Sequence, residues 1–257
     1  MDENKIKIGF LILATSKNRD NWKSIKDSYL YNISLKSSLL TINREHKYVY
    51  YIGIDENDRI FDKKEEQEEI LKFQNVFKHI TIKFIVYDNK KIPKGHHTLM
   101  WNLLFENAYN DGCDYFYQCG DDIEFKTNNW INDSINMLKS KNNIGLTGPI
   151  NNNNRILTQS FVSRKHMEIF GWYFPVEIKN WCCDDWYNMV YHPNYLYPLK
   201  NHYAENKGGA PRYKINNDDN FALNNMIFKK KLEQLRKDTE ILANKHKKLI
   251  ENYLNIK

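Results

Sequence analysis

Residues 5–14 (Lys-Ile-Lys-Ile-Gly-Phe-Leu-Ile-Leu-Ala) read as one apolar run, the pattern of a parallel strand covered on both faces. A polar turn over 15–21 follows, and residues 22–40 carry helical spacing. Residues 48–54 form a second β-rich run that stops at Asp55-Glu-Asn-Asp58, and 62–77 predict a helix that is acidic first and apolar later. Residues 81–87 give a third strand. A helix is expected over 98–109, broken by Asp111-Gly112, and residues 115–119 give a fourth strand. This β-α-β-α-β-α-β alternation predicts an α/β fold with a mostly parallel sheet flanked by helices. Ligands of such sheets sit beyond the carboxyl ends of the strands, and Asp55 and Asp121-Asp122 both fall at such ends.

Beyond Asp122 the pattern is less regular. A helix is expected over 130–140, a short strand over 144–147, a polar loop over 151–154, a strand over 156–162 and a short helix over 164–170. Residues 171–194 are rich in aromatics and hold a second acidic pair, Asp184-Asp185. Residues 206–212 (Asn-Lys-Gly-Gly-Ala-Pro-Arg) read as a loop. A helical tail over 225–254 carries Leu235, Leu242 and Leu249 at seven-residue spacing, to pack on the body or, as a homodimer, on another copy of the chain.

At 257 residues the chain is long enough to bury a substantial core, and 41% hydrophobic content agrees with a folded globule. The formal charge of +6 is a mild surplus that suits an anionic ligand such as a nucleotide diphosphate. It is spread along the sequence, so no nucleic-acid partner is expected. Cys113, Cys119, Cys182 and Cys183 lack C-x-x-C spacing and read as free thiols of a reducing compartment. The short apolar run near the start is a strand rather than a signal peptide or membrane span, so a cytoplasmic protein is expected. The Asn-x-Ser triplets at Asn32 and Asn132 are then not glycosylated. The abundance of Asn, Lys and Ile fits an AT-rich genome.

The chemistry centres on Gly120-Asp121-Asp122. Two carboxylates at a strand end repel each other, and a hard divalent ion bound through oxygen relieves that repulsion. Such an ion can also bridge the phosphates of a nucleotide as a diphosphate leaves. The structural alternative is a solvent-exposed turn.

Residues 95–102 (Gly-His-His-Thr-Leu-Met-Trp-Asn), Ala108 and 112–122 resemble the helix, strand and acidic DxD motif of GT-A fold glycosyltransferases, enzymes that use nucleotide sugars. The resemblance implies that Asp122 ligates Mn2+ or Mg2+ with Asp121 assisting. The sequence has Gly-Asp-Asp rather than a literal D-x-D, and Glu124 restores the alternate spacing as a weaker ligand. It further implies that residues 14–19, with Thr15 and Arg19, cradle the nucleotide and that Asp55 contacts its base or ribose. For Thr15 and Ser16, helix capping is an equal reading.

Residues 170–175 and 180–186 (Asn-Trp-Cys-Cys-Asp-Asp-Trp) resemble the acceptor segment of inverting GT-A enzymes of the β-1,4-galactosyltransferase type, with cysteines replacing two glycines. The resemblance gives Asp185 the role of general base with Asp184 in reserve. Trp172, Trp181 and Trp186 are candidates to stack on sugar rings, against a plain core role. His202 takes a metal-ligand role by the same resemblance, and Arg212 closes on phosphate from a following loop. His96 and His97 are better explained as the opening of a helix.

The resulting expectation is a metal-dependent glycosyltransferase. It moves a sugar from a nucleotide-diphosphate donor, UDP-linked, to a glycan or protein hydroxyl with inversion. Residues 1–224 form the catalytic domain (1–122 the nucleotide-binding half, 123–224 the acceptor half) and 225–257 a C-terminal helix. The alternatives are a metal-dependent phosphohydrolase or nuclease, and a binding module that kept the fold without turnover.

Overall fold

The computed structural model describes residues 5–208 and 226–255. One sheet runs through it in the order β3-β2-β1-β4-β7-β6-β8-β5. Strands β1 (Lys7–Ala14), β2 (Lys47–Asp55), β3 (Ile80–Tyr87) and β4 (Tyr115–Gly120) are parallel. Then β7 (Ser160–Ser163) joins β4 antiparallel and also pairs with β6 (Leu146–Ile150). The long β8 (Leu196–Asn206) lies parallel to β6, and the short β5 (Ile123–Phe125) closes the far edge antiparallel to β8.

The apolar run of β1 is unbroken because both faces of the sheet are covered. Ile8, Phe10 and Ile12 enter one core, with Tyr50 and Ile52 of β2 and Tyr117 and Cys119 of β4. That side is roofed by α1 (Lys36–Thr41), α2 (Lys64–Val76) and α4 (Trp130–Ser140). Leu11 points to the other core with Tyr51 and Phe116, under α3 (His97–Asn110), α5 (Lys165–Phe170), α6 (Cys183–Tyr191) and α7 (Met226–Asn255). Period-two alternation thus feeds two cores at once.

The expected helix over 22–40 is broken. A 3-10 turn spans Ile25–Asp27, and a π-helical stretch, Leu30–Leu35, runs into α1. The cause is a set of serines. The Ser28 hydroxyl donates to the Ile25 carbonyl at 2.5 Å and Ser37 to Ile33 at 2.7 Å, competing with regular helix pairing. The strand expected over 156–162 begins only at Ser160. Asn188 of α6 holds the Leu157 backbone out of the sheet, accepting its N–H at 3.1 Å and donating to its carbonyl at 2.7 Å.

The tail helix docks on its own body. Phe228, Thr239, Ala243, His246 and Ile250 are buried, and Leu242 and Leu249 pack against the second core. The four cysteines are buried thiols without disulfides. Among the described residues no helix is long and apolar enough to cross a membrane.

Candidate functional site

The acidic turn after β4 is fixed from two sides. The π-helical stretch aims Ser34 at the edge of β5, where its hydroxyl accepts the Ile123 N–H at 3.0 Å, and Ser37 accepts that of Phe125 at 3.1 Å. Departures from α-helical pairing recur at functional sites, and this one holds the turn that carries the acids. From the other side, Lys207 donates its N–H to the Asp122 carbonyl at 2.9 Å.

Within that frame Asp121 is fully buried and Asp122 is partly exposed. Two glycines leave room for the Asp122 carboxylate. A Cβ on Gly120 would lie 2.6 Å from one of its oxygens, and a Cβ on Gly208 only 1.6 Å from the other. Any side chain at either position would displace it. Arg19 reaches the same place, donating to the Gly208 carbonyl at 3.0 Å while its guanidinium lies 5.4 Å over the Tyr29 ring.

The second acidic pair opens α6. Cys182 caps that helix in the left-handed region at φ 68°, so Asp184 and Asp185 occupy its first turn. The amide dipoles there favour negative charge. The two acids have different surroundings. Asp185 is buried, ion-paired with Arg155 and 3.8 Å from Nε of Arg236, which projects from α7. Asp184 is partly exposed, and its carboxylate accepts the Asp185 N–H at 3.0 Å. Desolvation, then the neighbouring Asp185 charge, raise the Asp184 carboxyl to about 6.

A cavity of about 370 Å³ lies between the two pairs, lined by Asp122 from the first and Asp184 from the second. Trp101 and Trp181 form apolar walls, with His97, Gln118 and Tyr187 among the polar lining. The site is therefore a junction of the β4 end, the α6 N-terminus and the start of α3. Among the described residues no three His, Cys, Asp or Glu side chains converge as a complete metal cage.

Several expected site residues are placed elsewhere. Asp185 faces its arginines instead of the cavity. His202 lies on β8 with both ring nitrogens engaged, Nε2 with Asp133 at 2.7 Å and Nδ1 with Thr127 at 3.1 Å, and it is not among the cavity residues. A nitrogen held by a carboxylate is not free to ligate a metal in this arrangement. Trp186 is fully buried, and its indole N–H donates to His246 Nδ1 at 3.2 Å. Trp172 packs 5.2 Å from Trp186 and 5.1 Å from His246, beneath α7. Of the three tryptophans only Trp181 reaches the cavity.

The Thr15 hydroxyl donates to Asp58 at 3.0 Å, and Ser16 donates to the same carboxylate through its N–H and hydroxyl. Burial would raise the Asp58 carboxyl, but these bonds and two more from Ile60 and Phe61 hold it below the usual range. The clamp ties the β1 end to the β2 end. Asp55 is buried at the end of β2. Arg212 lies outside the described residues.

Sequence reasoning missed Trp101, Gln118 and Tyr187. Gln118 had a visible signal, a polar residue inside the apolar strand Tyr-Phe-Tyr-Gln-Cys. Tyr187 is three residues beyond Asp184 and so on the same helix face.

No protein-family model and no curated protein sequence matches the chain. The likeness is one of structure. S. aureus TarS 1-349 in complex with UDP-GlcNAc superposes at TM-score 0.56 and 11% identity, over 94% of this chain and 70% of that one. The complex of TarS 1-349 with UDP gives 0.52 at 11% identity, over 78% and 60%. A longer TarS chain gives 0.52 over 77% of this chain, which spans 36% of that one. The fold is that of a glycosyltransferase. In a glycosyltransferase fold of this GT-A type, the cavity lies where open α/β sheets bind ligands, outside the strand carboxyl ends.

Proposed function

We propose that the protein is a metal-dependent glycosyltransferase that moves a sugar from a UDP-linked donor to a hydroxyl acceptor with inversion. The observation that carries this reading is that Asp122 and Asp184, from two different acidic pairs, line one cavity. The UDP and UDP-GlcNAc complexes of TarS support the donor class.

Asp122 would hold Mn2+ or Mg2+, with the buried Asp121 adding negative charge behind it. The donors are hard oxygens and fewer than a full cage. That fits an ion bound by one or two carboxylates that completes its shell with water and substrate phosphates. Bound there, the ion would offset the charge of the departing UDP.

The acceptor hydroxyl is activated by Asp184, whose carboxylate takes its proton. The oxygen then forms the new bond to the anomeric carbon as the carbon–oxygen bond to the diphosphate breaks, and one in-line displacement inverts that centre. A carboxyl near 6 is largely ionised at neutral pH yet more basic than an ordinary aspartate. Trp101 and Trp181 offer ring faces to the apolar C–H faces of sugars.

A thermal-shift screen of UDP-sugars with and without Mn2+ tests the donor and the metal together. The expected result is a rise with one UDP-sugar only when metal is present, abolished by Asp122→Ala. No shift with any UDP-sugar overturns the reading, and UDP release at the same rate without an acceptor replaces it with a hydrolase.

A further inference from the structure

The carboxyl ends of the parallel strands carry the candidate site, while their amino ends have a different chemistry. Lys7 and Lys47 open β1 and β2 side by side in register. Lys78 lies in the turn into β3, Lys139 near the end of α4, and Lys165 opens α5, all at this same end of the sheet. Two hollows are cut into it and share Lys5. One, of about 640 Å³, is lined by Lys7, Lys47, Lys78, His46 and His79; the other, of about 400 Å³, by Lys139, Arg164 and Lys165.

The acids of these hollows, Asp114 and Glu168, are engaged by the protein itself. Asp114 accepts the Lys7 N–H at 2.8 Å, and Glu168 accepts the Tyr253 hydroxyl. Among the described residues Lys47, Lys78 and Lys139 are exposed and make no ion pair. Lysines therefore gather at this end of the sheet, although the sequence spreads them along the chain.

The same end carries the two most exposed large apolar side chains of the described residues, Leu40 at 81% and Val76 at 74%. Leu40 stands one residue before the end of α1 and Val76 ends α2. Both helices roof the same sheet face and lead into β2 and β3, so both side chains emerge at the lysine-bearing end. Singly, an exposed aliphatic needs no explanation. Two of them at the rim of a basic face are the composition of an interfacial membrane contact. Lysines are drawn to anionic headgroups while aliphatic tips enter the acyl boundary. The two exposed aliphatics separate this face from a nucleic-acid site, because a phosphate backbone offers them nothing to enter.

We infer that this face docks peripherally on an anionic lipid bilayer. The inference does not rest on the proposed transfer reaction. It leaves the cavity facing away from the bilayer, open to an aqueous acceptor.

Co-sedimentation with phosphatidylcholine vesicles, with and without phosphatidylglycerol, tests it. Binding is expected only with phosphatidylglycerol and is expected to weaken with salt. Each lysine near such a surface is worth about fivefold in partitioning, so Lys47→Ala with Lys78→Ala is expected to cost about thirtyfold. Leu40→Ser with Val76→Ser is expected to cost about tenfold. Lys63→Ala with Lys64→Ala, which removes the same charge at the opposite end, is expected to leave binding unchanged. Unaltered melting temperatures establish that the variants fold. Absence of binding by the unmodified chain, or equal loss from the Lys63 and Lys64 pair, overturns the inference. Binding that a soluble polyanion such as heparin competes away, and that ignores the Leu40 and Val76 changes, overturns the membrane in favour of a soluble polyanion.

Discussion

The molecule has two adjacent aspartate pairs, and they present themselves in opposite order. At the end of β4 the leading acid, Asp121, is sealed and the second, Asp122, faces the cavity. At the start of α6 the leading acid, Asp184, faces the cavity and the second, Asp185, is buried against Arg155 and Arg236. Asp121 and Asp122 sit in the turn after β4, and Asp184 and Asp185 diverge by about 100° around the first turn of α6. In each pair only one acid lines the cavity. Which one does so depends on partners far away in sequence, and for Asp185 these come from residue 155 and the terminal helix.

The sharpest way to break this comparison is to neutralise each α6 acid in turn. Asp184→Asn is expected to lower kcat about 10²–10⁴-fold, the range for loss of a general base. Asp185→Asn is expected to cost no more than about tenfold, with a lower melting temperature from the lost Arg155 pair. The opposite ranking in two folded variants reverses the roles.

The pH profile supplies the same test without mutation. Burial and the Asp185 charge raise the Asp184 carboxyl from its ordinary value to about 6, so the base is lost to protonation as pH falls below about 6, and kcat falls with it. The stability sign is opposite. A raised carboxyl means the folded state holds that proton more tightly, so its stabilising effect is full below the unfolded value near 3.8 and is lost as pH rises through about 6. Asp184→Asn is therefore expected to melt higher than the unmodified chain at neutral pH, by about 2–4 °C per kcal/mol. A flat kcat from about pH 5 to about pH 7, on either side of that midpoint, removes Asp184 as the base.

The fold was largely legible before the structure, for a physical reason. Strands buried on both faces are long apolar runs, and β1, β2 and β4 all have that character. The two strands at the far end of the sheet, β8 and β5, do not. In β8 (Leu-Tyr-Pro-Leu-Lys-Asn-His-Tyr-Ala-Glu-Asn) most side chains are only partly covered, and three-residue β5 is defined by its pairing with β8 and its serine clamps. The helix α6 was hidden because its start depends on Cys182 adopting a left-handed conformation. Of the site, the acidic pairs were visible as motifs. The exclusion of Trp186 and the pairing of His202 depend on α7 and α4, whose side chains no local pattern brings into range.

The tryptophans extend the comparison between cavity and core. Trp186→Ala is expected to destabilise the fold by about 3–5 kcal/mol, as for other buried large-to-small changes. Trp181→Ala is expected to leave melting nearly unchanged and to raise the acceptor KM with little change in kcat. Equal destabilisation by both would place Trp181 in the core with its neighbour.

The smallest expected effect concerns His202. Its ring bridges β8 to α4 through Asp133 and to Thr127, so His202→Ala removes two hydrogen bonds of a nearly buried group. The expected loss is about 1 kcal/mol, since Asp133 is half-exposed and regains water. Mn2+ affinity, measured by titration in the presence of UDP, is expected to stay within about twofold. A metal ligand behaves differently. Even a group that only orients a ligand changes metal affinity about 10–100-fold when removed. A drop of that size in a variant with a near-normal melting temperature would falsify the structural role and return His202 to the metal. An unchanged affinity instead leaves the Asp122 side of the cavity as the metal-holding half, with the base on α6 opposite it.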